Sequence, residues 1–140
     1  MNRSTLREEV FRLLFQIEFY PEQEIGRQAD LYMGELEELF TEEELLSIRG
    51  RFESILLKKT DIDELLNNKT SGWSTDRMGK TELAILRLAV YEIRFDNDIP
   101  TAVAINEAVE LAKKYGQEES APFVNGVLAH FADNNSITTD

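Results

Sequence analysis

The chain has 140 residues and contains no cysteine, one histidine, three prolines and seven glycines. Without cysteine there is neither a disulfide nor a thiolate metal site. His130 alone does not build a histidine-based metal centre, so no metal and no cofactor are expected. No apolar run approaches the ~18 residues of a membrane span. The longest, Leu83 to Ile93, is interrupted by Arg87 and Glu92. The first residues, Met1 to Glu9, lack the apolar stretch of a signal peptide. A cytoplasmic protein with no membrane association is expected.

Positive charge is also scarce. The net charge is −12, which argues against broad, sequence-independent binding to nucleic acid. The charge is uneven, however. Residues 35–64 hold ten acidic and four basic side chains, a net of −6, whereas residues 69–94 hold five basic and three acidic, a net of +2. The first twelve residues set Arg3, Arg7 and Arg12 against Glu8 and Glu9. An acidic protein can therefore carry a locally cationic end.

What the sequence does have is helical periodicity. No alternating segment is long enough for a strand, so the fold class is all-α, with about six to seven helices. The length fits one domain, residues 1–140. A first helix is predicted over about Ser4 to Phe19, closed by Pro21, and a second over about Glu24 to Phe40. Thr41-Glu-Glu-Glu44 is a capping-box pattern. It opens a third helix that continues to Leu66, with Gly50 as the place for a bend. A polar loop, 67–72, and a short turn, 73–78, follow. Gly79 precedes a helix to about Phe95. Pro100 precedes a helix over Thr101 to Tyr115, with Gly116 as its C-cap. Ser120 is a good N-cap for the last helix, and Pro122 is tolerated in its first turn.

Leu83 to Ile93 is apolar nearly all round, which predicts a central, buried helix. A guanidinium inside it, Arg87, must be paired, with Glu92, Glu107 or Glu110 as candidate carboxylates. The first helix carries two stripes. Leu6, Val10, Leu13, Leu14 and Ile17 form one. Phe11, Phe15 and Phe19, spaced by four, lie on nearly the opposite side. Two readings of the Phe stripe stand: a second layer of core, or an interface whose aromatic rings anchor a partner. The same stripe could serve a homodimer, and the sequence is compatible with monomer or dimer.

Chemical constellations are missing. The carboxylates Glu35, Glu37, Glu38, Glu42, Glu43 and Glu44 straddle a helix boundary with no histidine nearby, as expected of a solvated face. No Gly-rich phosphate loop and no G-x-S-x-G elbow occur. His130 sits near a helix end, where it favours the dipole. No catalytic residue and no enzyme are expected. Trp73 and Arg77, four apart, read either as a structural plug between helical layers or as a platform for a base.

Five segments together resemble the NusB family of bacterial transcription antitermination factors. They are Arg7-Glu-Glu-Val-Phe-Arg-Leu-Leu-Phe15; Trp73-Ser-Thr-Asp-Arg77; Thr81-Glu-Leu-Ala-Ile-Leu-Arg-Leu-Ala-Val-Tyr-Glu-Ile93; Pro100 with Val103-Ala-Ile-Asn-Glu-Ala-Val-Glu-Leu-Ala-Lys113; and Ser120 with Phe123-Val-Asn-Gly-Val-Leu128. The last three in combination are specific. The stretch from Pro21 to Asn68 matches only as helices.

The resemblance implies an all-helical protein of two packed subdomains, divided near 68–79, without catalysis. It implies binding of boxA-type single-stranded RNA, jointly with a NusE-type small-subunit ribosomal protein. The assembly joins the RNA polymerase antitermination complex and promotes ribosomal RNA transcription. Carried over residue by residue, it puts Arg3, Arg7, Glu119, Ser120 and Phe123 on the RNA face. Phe15 and Glu82 face the protein partner. Trp73, Arg77, Arg87, Asn125 and Gly126 are structural. Phe123 also begins an apolar helix face, so a core role for it stays open.

One departure from the family pattern matters. Its dense basic cluster before helix one is reduced here to Met1-Asn-Arg-Ser-Thr-Leu6. With about three phosphate contacts, the log–log salt slope for single-stranded RNA is only about −2. Weak RNA binding by the isolated protein is therefore expected, with specificity arising in the complex. Two other functions compete: a protein-binding helical adaptor with little RNA affinity, and the accessory NusB-like domain of a ribosomal RNA methyltransferase. The second calls for a catalytic domain, whose motifs these 140 residues do not contain.

Overall fold

The computed structural model describes residues 2–69 and 74–137, without the side chains of residue 69 and residues 133–137. Trp73 therefore lies outside the described residues. Among the described residues seven α-helices follow one another: α1 Arg3–Gln16, α2 Ile25–Glu35, α3 Glu42–Leu57, α4 Lys59–Lys69, α5 Lys80–Phe95, α6 Thr101–Tyr115 and α7 Ser120–Ile137. Short 3₁₀ turns occupy Ile17–Phe19, Glu22–Glu24 and Thr75–Arg77. The all-α expectation holds. No helix among the described residues is long and apolar enough to cross a membrane.

The chain forms two compact units, Met1–Leu57 and Lys58–Asp140. The division falls ahead of the 68–79 stretch where sequence reading places it. The reason is α4. This helix packs on α5 and α7, and its Asp63 is paired with Arg87 of α5, so it belongs with the C-terminal helices. The long third helix expected to reach Leu66 is accordingly two helices, broken at Lys58. Gly50 lies inside α3, exposed, and causes no bend at which the helix ends.

In the first unit α1 packs on α3. Val10, Leu13 and Leu14 from α1 and Ile48, Phe52 and Ile55 from α3 are buried. Leu13, Ile17, Ile25, Ala29 and Phe52 line a small cleft where these helices meet α2. The capping box is formed as written in the sequence. Thr41 N–H donates to Glu44 Oε1 at 2.8 Å, and Glu44 N–H donates to Thr41 Oγ1 at 3.1 Å. The second helix stops at Glu35 rather than Phe40. Leu36 is buried, and turn hydrogen bonds from Leu36, Leu39 and Phe40 close the segment instead.

In the second unit α5 is the central element, touching α4, α6 and α7. Every residue from Leu83 to Val90 is buried. Each leucine, isoleucine or valine buried here contributes about 1.5–3 kcal/mol relative to exposure. Arg87, within this run, is 4% exposed. It pairs with Asp63 of α4, a carboxylate outside the three glutamates that the sequence offers as candidates. Arg94 Cζ sits 5.4 Å from the Phe131 ring centre, tying α5 to α7 through a cation–π contact.

Candidate nucleic-acid and partner interface

The candidate residues are distributed over both units, and each unit positions its own set. Helix α1 begins with a well-made cap. Asn2 Oδ1 accepts from Thr5 N–H at 2.8 Å and from the Thr5 hydroxyl at 2.9 Å. The first turn carries no acidic side chain, so Arg3 is presented to solvent at the positive end of the helix dipole. Arg7 lies one turn on, on the same side, yet it is 8% exposed and engaged within the protein. It brings far less of its guanidinium to solvent than a surface phosphate contact would. Arg12 is placed between Glu8 and Glu9, at 3.7 and 3.9 Å.

The aromatic stripe of α1 is graded. Phe11 is buried, Phe15 half-buried and Phe19 55% exposed. Ring centres of Phe11 and Phe15 are 6.2 Å apart, and those of Phe15 and Phe19 are 5.1 Å apart with an edge-on tilt. The core reading of the stripe holds at its Phe11 end. Phe11 is core, and Phe19 reaches solvent with Phe15 linking the two. Opposite Phe11 along the chain, Glu9 accepts a hydrogen bond from the Tyr32 hydroxyl. Burial first, and then this bond, push the Tyr32 hydroxyl well above the ordinary tyrosine range.

The second unit builds its set around two glycines. Gly116 ends α6, its N–H donating to Ala112 O at 2.9 Å. Its backbone is extended, at φ −95° and ψ −163°, not left-handed. Glycine is needed there for space. A Cβ would lie 2.5 Å from both Cβ and Oγ of Ser120 and 2.8 Å from the Ala112 carbonyl oxygen. Ser120 is thus pulled tightly under the turn and is 2% exposed. The sequence reading as an N-cap requires correction, since Ser120 is the first residue inside α7. Its hydroxyl accepts from Gln117 N–H at 2.9 Å and donates to Glu82 Oε2.

Glu82, in the first turn of α5, curls back over Gly79, where a Cβ would overlap its Oε1. Glu82 and Ser120 therefore form one hydrogen-bonded node joining the N-terminal turns of α5 and α7. Glu119 beside it is exposed, and Phe123, one turn into α7, is half-buried. Sequence reasoning missed this node. The available signals were Gly79 three residues before Glu82 and Gly116 four before Ser120.

Of the residues read as structural, Arg87 is held as described. Arg77 is exposed at the end of the 3₁₀ turn, which is itself anchored by Thr75 N–H donating to Asn67 Oδ1 at 2.8 Å. Asn125 and Gly126 are both exposed, and a Cβ on Gly126 meets nothing within 4 Å. Packing within this chain does not account for either residue, because both lie on the outer side of α7, away from buried Val124, Val127 and Leu128. Among the described residues no group of three or more His, Cys, Asp or Glu side chains is placed to hold a metal ion.

The NusB family model matches residues 4–133. The chain belongs to the NusB family. The transcription antitermination protein NusB of Agathobacter rectalis is 52% identical over 132 residues, covering 94% of this chain and 100% of that protein. NusB of Lachnoclostridium phytofermentans is 49% identical over 133 residues, covering 95% and 100%. A solved structure of T. maritima NusB superposes with a TM-score of 0.86 at 34% identity, covering 95% of this chain and 92% of that one. A NusB chain solved as antitermination factors NusB and NusE in complex with dsRNA superposes with a TM-score of 0.79 at 25% identity, covering 94% and 96%. The family match thus extends through the 21–68 stretch, where no single motif of the sequence points to the family.

Proposed function

We propose that this chain is a transcription antitermination factor that binds boxA-type RNA together with a NusE-type ribosomal protein and thereby promotes ribosomal RNA transcription. One observation carries the reading: near-complete, 52% identical correspondence to a protein named for transcription antitermination. The solved NusB–NusE–RNA assembly supplies the type of partners. In this reading Arg3 and Arg7 neutralise phosphate, and the start of α7, with Glu119, Ser120 and Phe123, offers backbone amides and a ring to the RNA. Phe15 and Glu82 meet the ribosomal protein. The complex acts with RNA polymerase in the cytoplasm and involves no catalytic step.

The burial of Arg7 favours a variant of this reading in which the protein binds its protein partner first and contributes little RNA affinity alone. Binding of a labelled boxA-type RNA, with and without the NusE-type protein, tests both. Tighter, sequence-dependent binding in the presence of the partner is expected. A protein–protein complex that forms yet never recruits RNA would instead establish the adaptor function.

A further inference from the structure

Glu82 and Ser120 are 38 residues apart, yet their side chains share a hydrogen bond. The geometry around that bond leaves each group little freedom. Gly116 presses on Ser120 from one side, and Glu82 folds back against Gly79 on the other. The hydroxyl already accepts from Gln117 N–H. Its one hydrogen goes to Glu82, so it is not available to a phosphate oxygen. The carboxylate in turn brings negative charge to the N-terminal end of α7, where a phosphate would be drawn by the helix amides. Both features oppose RNA at the very turn assigned to RNA.

Resting on the functional reading above, we propose that Glu82 is a positioning residue for the RNA-binding end of α7, and that engagement of its carboxylate by a basic partner surface releases Ser120 and unmasks that end. The partner then raises RNA affinity through this chain, in addition to any RNA contact of its own. By linkage, RNA raises affinity for the partner by the same factor.

The test is fluorescence anisotropy of a labelled boxA-type single-stranded RNA with the full chain, with and without the NusE-type ribosomal protein, in wild type, Glu82→Gln and Ser120→Ala. Glu82→Gln keeps an acceptor for Ser120 but removes the charge, so RNA binding without partner should tighten. Ser120→Ala removes the released donor, so RNA binding with partner should weaken. From opposite ends, both variants should cut the partner's enhancement of RNA affinity by at least about fivefold, the lower range of allosteric couplings. An enhancement equal to wild type in both variants, with only the melting temperature reduced, would make the bond merely structural and overturn the proposal. Absence of RNA binding by wild type with partner present would instead overturn the functional reading on which it rests.

Discussion

Arg87 and Asp63 meet at two points. Arg87 Nε donates to Asp63 Oδ1 and Nη2 donates to Oδ2, each at 2.9 Å. The arginine side chain is 5% exposed and the aspartate 20%, with Lys59 Nζ also 3.8 Å from Oδ2. Removing Asp63 takes two charge-assisted hydrogen bonds from a guanidinium that stays buried, whereas replacing both members by apolar groups also removes the charge that needs compensation. Asp63→Ala should cost about 3–5 kcal/mol in urea unfolding. The double variant Arg87→Met with Asp63→Leu should recover most of that loss. A double variant as unstable as Asp63→Ala would show that the site needs the ions themselves.

The Thr41–Glu44 box makes a pH prediction. The hydrogen bond from Thr41 N–H holds the Glu44 carboxyl below its ordinary value of 4.5. A folded-state value lower than the unfolded one means that the stabilisation is fully present above about pH 4.5. It is lost as pH falls through the depressed value. Glu44→Gln keeps an oxygen acceptor but cannot titrate. The difference in unfolding midpoint between wild type and Glu44→Gln should therefore be constant near neutrality and shift against wild type below pH 4.5. Thr41→Ala, which removes the N-cap oxygen, should cost about 1 kcal/mol at neutral pH.

Where punctuation and periodicity agreed, the sequence was sufficient. Pro100 and Gly116 bracket α6, and the helix observed is Thr101–Tyr115 as read. The buried run of α5 was equally legible. What escaped was decided by neighbours distant in sequence. The break at Lys58 has no proline or glycine to announce it. It arises because Ile55 is buried with the first unit while Ile62 and Leu66 are buried with the second. Arg87 was correctly seen to need a carboxylate, but the choice of Asp63 depends on which helix packs alongside. For the candidate interface, residue types were legible and their state was not. Nothing in the spacing of Arg3 and Arg7 says that one is exposed and the other buried. No local rule joins Glu82 to Ser120.

The graded aromatic stripe separates stability from recognition. Phe11→Ala should cost about 3–5 kcal/mol, because the ring is buried and a cavity is left. Phe19→Ala should cost only about 1 kcal/mol in unfolding, since the position is largely exposed and the edge-on contact with Phe15 is what is lost. Phe15→Ala should show in both assays, with a loss of about 2 kcal/mol in affinity for the NusE-type partner if it is a central anchor. Calorimetric titration alongside urea unfolding distinguishes these outcomes. Undiminished partner affinity in Phe15→Ala would remove this stripe from the interface.

The salt dependence of RNA binding counts the cations that reach phosphate. Each phosphate neutralised on single-stranded RNA contributes about −0.7 to the log–log slope. Three contacts give about −2, and burial of Arg7 argues for a slope no steeper than that for the isolated protein. Arg3 is exposed at the start of α1, so Arg3→Glu should shallow the slope by at least about 0.7 while leaving the melting temperature unchanged. Arg7→Glu should instead lower the melting temperature, since it places a carboxylate where a buried guanidinium is engaged within the protein. Adding the NusE-type partner should steepen the slope through the partner's own basic groups. A slope of about −4 or steeper for this protein alone would mean that cations other than the thin N-terminal set line the RNA path, and the net +2 segment 69–94 would be the place to seek them.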